Sequence, residues 1–170
     1  MARAFVFPGQ GSQAVGMGRD LAAAFPTAHE VFQEVDDALG QSLSRLMFEG
    51  PETELVLTEN AQPALMAVSM AVVRVVEKET GRKVGQVASY VAGHSLGEYS
   101  ALAAAGTFSL ADAARLLKAR GQAMQRAVPV GQGAMAAVIG LGLDAVRAVT
   151  EEASQGEACQ AARRAAFFRC

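Results

Sequence analysis

Cysteine is nearly absent. The two that occur, Cys159 and Cys170, fall in the last dozen residues, so neither a disulfide framework nor a metal-ligand spacing can be built from them. Charge of one sign is also lacking: 15 Lys and Arg against 17 Asp and Glu give a formal net charge of -2. That balance excludes the basic footprint of a nucleic-acid binder and the polybasic patch of a membrane-surface protein. Long apolar runs are missing too. Ala61–Val73 and Ala127–Leu143 are the longest, both short of the ~20 residues a bilayer span needs, and Pro129 and four glycines break the second. From Arg3 only four apolar residues lead to Pro8-Gly9, too few for the hydrophobic region of a signal peptide. A cytoplasmic protein with no metal and no bound cofactor is expected. Histidine is limited to His29 and His94, which restricts the candidates for a general base.

What is present is apolar bulk. At 170 residues and 51% hydrophobic content the chain can bury a core of its own. Its centre of organisation is Ser89-Tyr90-Val91-Ala92-Gly93-His94-Ser95-Leu96-Gly97-Glu98-Tyr99-Ser100-Ala101, which reads as a strand, a sharp turn and a helix, with a serine at the bend. Gly93 and Gly97, two before and two after Ser95, are the residues such an elbow requires, because a side chain at either position would meet the crossing strand or helix. Ser95 Oγ is then presented at the sheet edge as a nucleophile. The helix opening at Leu96 aims its free N–H groups back at it, and the Leu96 N–H becomes an oxyanion donor. Taken alone, G-x-S-x-G arises by chance in roughly one glycine-rich chain of this length in ten, and an inert serine in a strand-to-helix turn is the competing account. The flanking apolar run, the helix from Ala101 to Ala105 and a capping Gly106 favour the elbow.

Elsewhere the order is regular. Ala2–Phe7 is a strand, followed by the loop Pro8-Gly9-Gln10-Gly11-Ser12-Gln13-Ala14. Gly9-x-Gly11-x-x-Ala14, with Glu34 about 20 residues on, also fits a dinucleotide-binding fingerprint. Gly16 and Gly18 argue against that, since each costs ~1 kcal/mol in the helix such a site needs directly after the loop. Leu21–Phe25 is a helical turn stopped by Pro26. Thr27-Ala28-His29-Glu30 reads as a capping box for a helix burying Val31, Phe32, Val35 and Leu39 and ended by Gly40. His29 lies in its first turn, on the surface. His94, next to Ser95 on an extended segment, points away from it. Pro63 fits the first position of a helix with Leu65, Val68, Val72 and Val76 as its buried stripe, and Gln62 before it is either a cap or a site residue. Ser109-Leu110-Ala111-Asp112 opens a helix burying Leu110, Ala113, Ala114, Leu117, Gly121 and Met124. Arg115, Lys118 and Arg126 project away from that face. Arg120 alone leans inward on its flank, either snorkelling to water or reaching a ligand. Gly133–Leu141 reads as a strand, and Asp144–Ala153 as a helix with Val146 and Val149 inward.

The motif Gly93-His94-Ser95-Leu96-Gly97-Glu98-Tyr99-Ser100-Ala101-Leu102 resembles the malonyl-CoA:acyl carrier protein transacylase family. Phe7-Pro8-Gly9-Gln10-Gly11-Ser12-Gln13, Gln62-Pro63-Ala64-Leu65, Arg120-Gly121 and Gly133-Ala134-Met135-Ala136-Ala137 look like further landmarks of that family, in its order and spacing. The resemblance implies an α/β fold: a hydrolase-like core, of which residues 1–128 would be part, and a small ferredoxin-like subdomain, whose first strand and helix would be 129–156. It implies a malonyl group moved from coenzyme A to acyl carrier protein through an ester on Ser95, coenzyme A thioester being substrate and not cofactor. By the same likeness the Gln10 backbone N–H is the second oxyanion donor, Arg120 binds the malonyl carboxylate and Gln62 lines the site. A serine esterase of the hydrolase type is the alternative.

The likeness stops near residue 156. From Glu157 to Cys170 the composition shifts to arginine, alanine and paired phenylalanines, as a frameshift or early stop would produce, a short amphipathic end helix being the other account. The family's histidine base belongs to its second half, so this chain by itself is expected to be inactive.

Overall fold

The computed structural model describes residues 2–129, 131–133, 136, 138–161 and 166–169, the last four by backbone alone. Contacts divide the chain into two units, Met1–Ala127 with Ala165–Cys170, and Val128–Arg164.

The first unit is an α/β structure. Strand β1 (Ala4–Phe7) pairs in parallel with β2 (Tyr90–Gly93), with Phe7 opposite Gly93. That register brings the carboxyl ends of both strands to one edge, where the Pro8 loop and the Ser95 turn leave the sheet side by side. Such an edge is where α/β sheets build their sites. Between the strands come α1 (Arg19–Ala24), α2 (Pro26–Leu39), α3 (Leu43–Glu49), α4 (Glu52–Leu55), α5 (Thr58–Thr80) and α6 (Val84–Val87). After β2 follow α7 (Leu96–Ala104) and α8 (Leu110–Ala127). Helix α7 lies on the sheet, α5 packs on α7, and α8 and α2 close around α5. The core between them is built from small and flexible side chains such as Ala64, Met66, Ala67 and Met70 of α5 with Leu117 of α8 and Leu96 of α7. Phe32 and Phe48 meet edge to face at 5.4 Å.

Several local expectations are revised by tertiary contacts. Helix α2 starts at Pro26, not after a Thr27 box: Phe25 is the extended cap, no side chain caps it, and proline takes the first turn, where its missing N–H is not needed. Helix α5 starts at Thr58, a turn before Pro63, because its opening is anchored from outside: Asn60 Nδ2 donates to the Glu54 carbonyl at 2.9 Å, and Glu59 pairs with Lys118 at 3.2 Å. The valine stripe of α5 is also displaced. Val72 and Val76 are 46% and 37% exposed, while Ala71, Val73 and Val75 are buried; a helix apolar on all sides, gripped by several neighbours, carries no single face for periodicity to find. Ser109 does cap α8, accepting from Asp112 N–H at 3.0 Å. Lys118, expected outside, turns inward to Glu59, Gln41 and Asn60.

In the second unit, α9 (Leu143–Ser154) forms as expected, but its apolar residues are not inward: Val146 is half-buried and Val149 is 56% exposed. No helix among the described residues is long and apolar enough to cross a membrane. The expected strand Gly133–Leu141 lies partly outside the described residues. Those that are described, 133, 136 and 138–141, are not in a strand, and Gly140 sits at φ 88, a conformation that interrupts a pleat.

Near the end, Ala166–Arg169 forms β3 and not an end helix. It pairs antiparallel with β2, Ala166 opposite Gly93, on the side away from β1. Paired aromatics favour a strand, and an edge with unmet N–H and C=O groups is a template for one.

Candidate active site

The bend between β2 and α7 is strained where a nucleophile elbow should be. Ser95 has φ 57 and ψ -113, one of two non-glycine residues with positive φ among the described residues; such backbone persists only where the surroundings impose it. Here two glycines impose it. A Cβ on Gly93 would fall on the carbonyl of Gly97, and one on Gly97 would overlap the Phe7 carbonyl and stand 2.8 Å from that of Pro8. Strand end and helix start therefore touch backbone to backbone, and Ser95 is left at the apex.

Gly97 N–H donates to the His94 carbonyl at 2.9 Å, and Glu98 N–H to that of Ser95 at 3.1 Å. Among the described residues no acceptor lies on the Leu96 N–H, so the first turn of α7 keeps that donor beside the serine. The far end of α7 is closed by Gly106 at φ 78, with Gly106 N–H to the Ala103 carbonyl at 3.0 Å and Thr107 N–H to that of Leu102 at 2.9 Å, a Schellman closure.

Gly9 brings the first loop to the elbow: a Cβ there would stand 2.9 Å from His94 Nδ1 and 3.2 Å from the His94 carbonyl. Gln10 follows directly, exposed, its Oε1 accepting from Thr58 Oγ1 at 3.0 Å. No helix opens on this loop. Helix α1 begins at Arg19, after left-handed Gly16 and Gly18, and Glu34 is exposed on α2, so the dinucleotide fingerprint lacks the helix that would hold a pyrophosphate.

Arg120 reaches the serine. Its Nη2 donates to Ser95 Oγ at 2.9 Å, its Nη1 to Gln62 Oε1 at 2.6 Å, and its guanidinium carbon lies 5.9 Å from the Tyr99 ring centroid. Half-buried and donating through both terminal nitrogens to groups of the site, its head does not run out to water. Gln62 is completely buried; its Nε2 donates to Thr58 Oγ1 at 2.7 Å and to Met124 Sδ at 3.3 Å. Both ends of this amide are engaged, so Gln62 supports Arg120 from behind. Gly121 makes the approach possible, since a Cβ there would lie 2.5 Å from Glu59 Cα and 2.7 Å from the Thr58 carbonyl.

Of the sequence-selected residues, Ser95, Leu96, Arg120 and Gln62 thus come together, with the Gln10 loop alongside. His29 and His94 are both exposed, His29 beside a shallow hollow with Pro26 and Gln33, and among the described residues the hydrogen bond to Ser95 Oγ comes from Arg120 alone. Thr58 and Tyr99 were not selected. The available signals were the spacing of Thr58, one helical turn before Gln62, and of Tyr99, one turn after Ser95.

The model of the acyl transferase domain family matches residues 4–157. The chain belongs to that family. Within it, the chain is 48% identical over 152 residues to the malonyl CoA-acyl carrier protein transacylase of Bacillus subtilis, covering 89% of this chain and 46% of that protein. Among solved structures, the acyl-carrier-protein-S-malonyltransferase of Bartonella henselae superposes with a TM-score of 0.87 at 59% identity, over 94% of this chain and 51% of that one. A malonyl-transacylase solved in complex with a type II PKS acyl-carrier protein matches with a TM-score of 0.81 at 49% identity, over 92% and 49%. This acyl transferase chain therefore spans about half the length of the relatives it matches.

Proposed function

We propose that this chain carries the nucleophile half of a malonyl-CoA:acyl carrier protein transacylase, on a hydrolase-like core joined to the start of a ferredoxin-like subdomain. In the first step Ser95 Oγ attacks the thioester carbonyl, the C–S bond breaks, and coenzyme A leaves as the thiol with the serine's proton. In the second step the phosphopantetheine thiol of acyl carrier protein attacks the ester, the C–O bond breaks, and Ser95 regains a proton. The backbone N–H groups of Leu96 and Gln10 stabilise the oxyanion of each tetrahedral intermediate. Arg120 takes the free carboxylate of the malonyl group in its planar fork. No resident cofactor or metal takes part.

The observation that carries this reading is the Arg120 guanidinium 2.9 Å from Ser95 Oγ. A plain esterase has no use for a cation at that distance, whereas a malonyl group bound to the serine brings an anion to it. Neither His29 nor His94 stands as the base, and the family resemblance assigns that role to a histidine of the family's second half. A general base contributes ~10²–10⁴-fold, so the chain alone should transfer at least ~10²-fold more slowly than a full-length relative.

The test is to mix the chain with malonyl-CoA and a phosphopantetheinylated acyl carrier protein and separate the products. Malonyl-carrier protein forming ahead of free malonate is expected. Free malonate with no carrier product would make the chain an esterase.

A further inference from the structure

One hydroxyl of the site is used in an unusual way. Thr58 opens α5, where a threonine commonly spends its Oγ on free backbone N–H groups, yet no side chain caps this helix. Its Oγ1 instead accepts from Gln62 Nε2 at 2.7 Å and donates to Gln10 Oε1 at 3.0 Å. The consequence follows from the polarity of each group. Arginine has donors only, so Gln62 must turn its oxygen toward Arg120. An amide turned the other way would set donor against donor in a completely buried place. On the Nε2 side the acceptors are Thr58 Oγ1 and Met124 Sδ, and since a thioether is a weak acceptor the hydroxyl is the stronger anchor of the turned amide. The hydroxyl's single proton then points to Gln10. An unbroken series, Ser95, Arg120, Gln62, Thr58, Gln10, links the cation at the nucleophile to the loop beside it.

We propose that Thr58 is a positioning residue: its hydroxyl fixes the Gln62 amide, which aims Arg120, and it ties the Gln10 loop to the same axis. The part concerning substrate choice rests on the malonyl-transfer reading: a carboxylate seated on Arg120 and an oxyanion held by the Gln10 loop would be kept at a set distance through Thr58. Gly121 holds α8 against the Thr58 carbonyl, so the series has little slack.

The test reads Arg120 directly and needs no turnover. Phenylglyoxal is added to the 170-residue chain, and modification of Arg120 is followed by peptide mass spectrometry relative to exposed Arg45. Thr58→Val and Thr58→Ala are expected to speed Arg120 modification by about 3-fold or more, the scale of one lost hydrogen bond, and Thr58→Ser should restore the slow rate. Thr58→Ala suits a helix position and serves if the valine variant does not fold. Unchanged Arg120 modification in a folded hydroxyl-less variant would overturn the proposal, as would a Thr58→Ser chain as reactive as Thr58→Ala. Ser95 loading supplies the second readout: Thr58→Ala should narrow the preference for malonyl-CoA over acetyl-CoA, and an intact preference would overturn it. If the unsubstituted chain accepts no malonyl group while the arginine rates shift as stated, the positioning role stands and the transfer reading falls.

Discussion

Arg120 Nη2 donates to Ser95 Oγ across 2.9 Å, from the middle of one helix to the residue that precedes another. With Nη1 held by Gln62 at 2.6 Å, the guanidinium would, on the proposed malonyl-transfer reading, exchange the serine for a carboxylate without moving far. Removing it should therefore cost malonyl loading far more than acetyl loading, because only malonyl supplies the anion. In Arg120→Ala, single-turnover loading of Ser95 from malonyl-CoA is expected to fall by about 10²-fold, the order of a lost sheltered ion pair, with acetyl-CoA affected much less. Equal losses for both thioesters would return Arg120 to a structural role.

The elbow's glycines should fail by sterics and not by chemistry. Gly97→Val forces a branched side chain into the Phe7 and Pro8 carbonyls and should destabilise the fold by ~4 kcal/mol or more. Urea unfolding followed by circular dichroism checks it. A valine variant with the midpoint of the parent chain would show that α7 and β1 are not packed as described.

Much of this was legible from sequence where the cause is local. Gly93, Ser95 and Gly97 form a steric unit five residues long, and Arg120 followed by Gly121 encodes a close approach of two helices at the site. Features fixed by partners distant in the chain were not legible. The start of α5 depends on Glu54 and Lys118, the inward turn of Lys118 on Gln41, Glu59 and Asn60, and β3 on an edge of β2. Pro63 gave a local signal for a helix start that these contacts outweigh. The strand expected over Gly133–Leu141 followed from apolar content and the family resemblance, and its described residues are not in a strand, which also requires a neighbour to pair with.

Ser100 offers a stability prediction independent of the chemistry. It is completely buried on α7, and its Oγ has no partner among the described residues, so the fold bears a desolvated hydroxyl without return. Ser100→Ala should be neutral or stabilising by up to ~1 kcal/mol, raising the thermal midpoint by ~2–4 °C for a chain of this size. Differential scanning calorimetry measures it. A loss of more than ~1 kcal/mol would mean that the hydroxyl makes a bond which the packing around α7 does not explain.

Ser95 Oγ is the atom proposed to take the malonyl group. Intact-protein mass spectrometry after incubation with malonyl-CoA, followed by peptide mapping, tests it most directly. A single malonyl adduct on the peptide containing Ser95, lost in Ser95→Ala and discharged by an acyl carrier protein's phosphopantetheine thiol, is the predicted result. An adduct that survives Ser95→Ala, or one that maps to another residue, would contradict it.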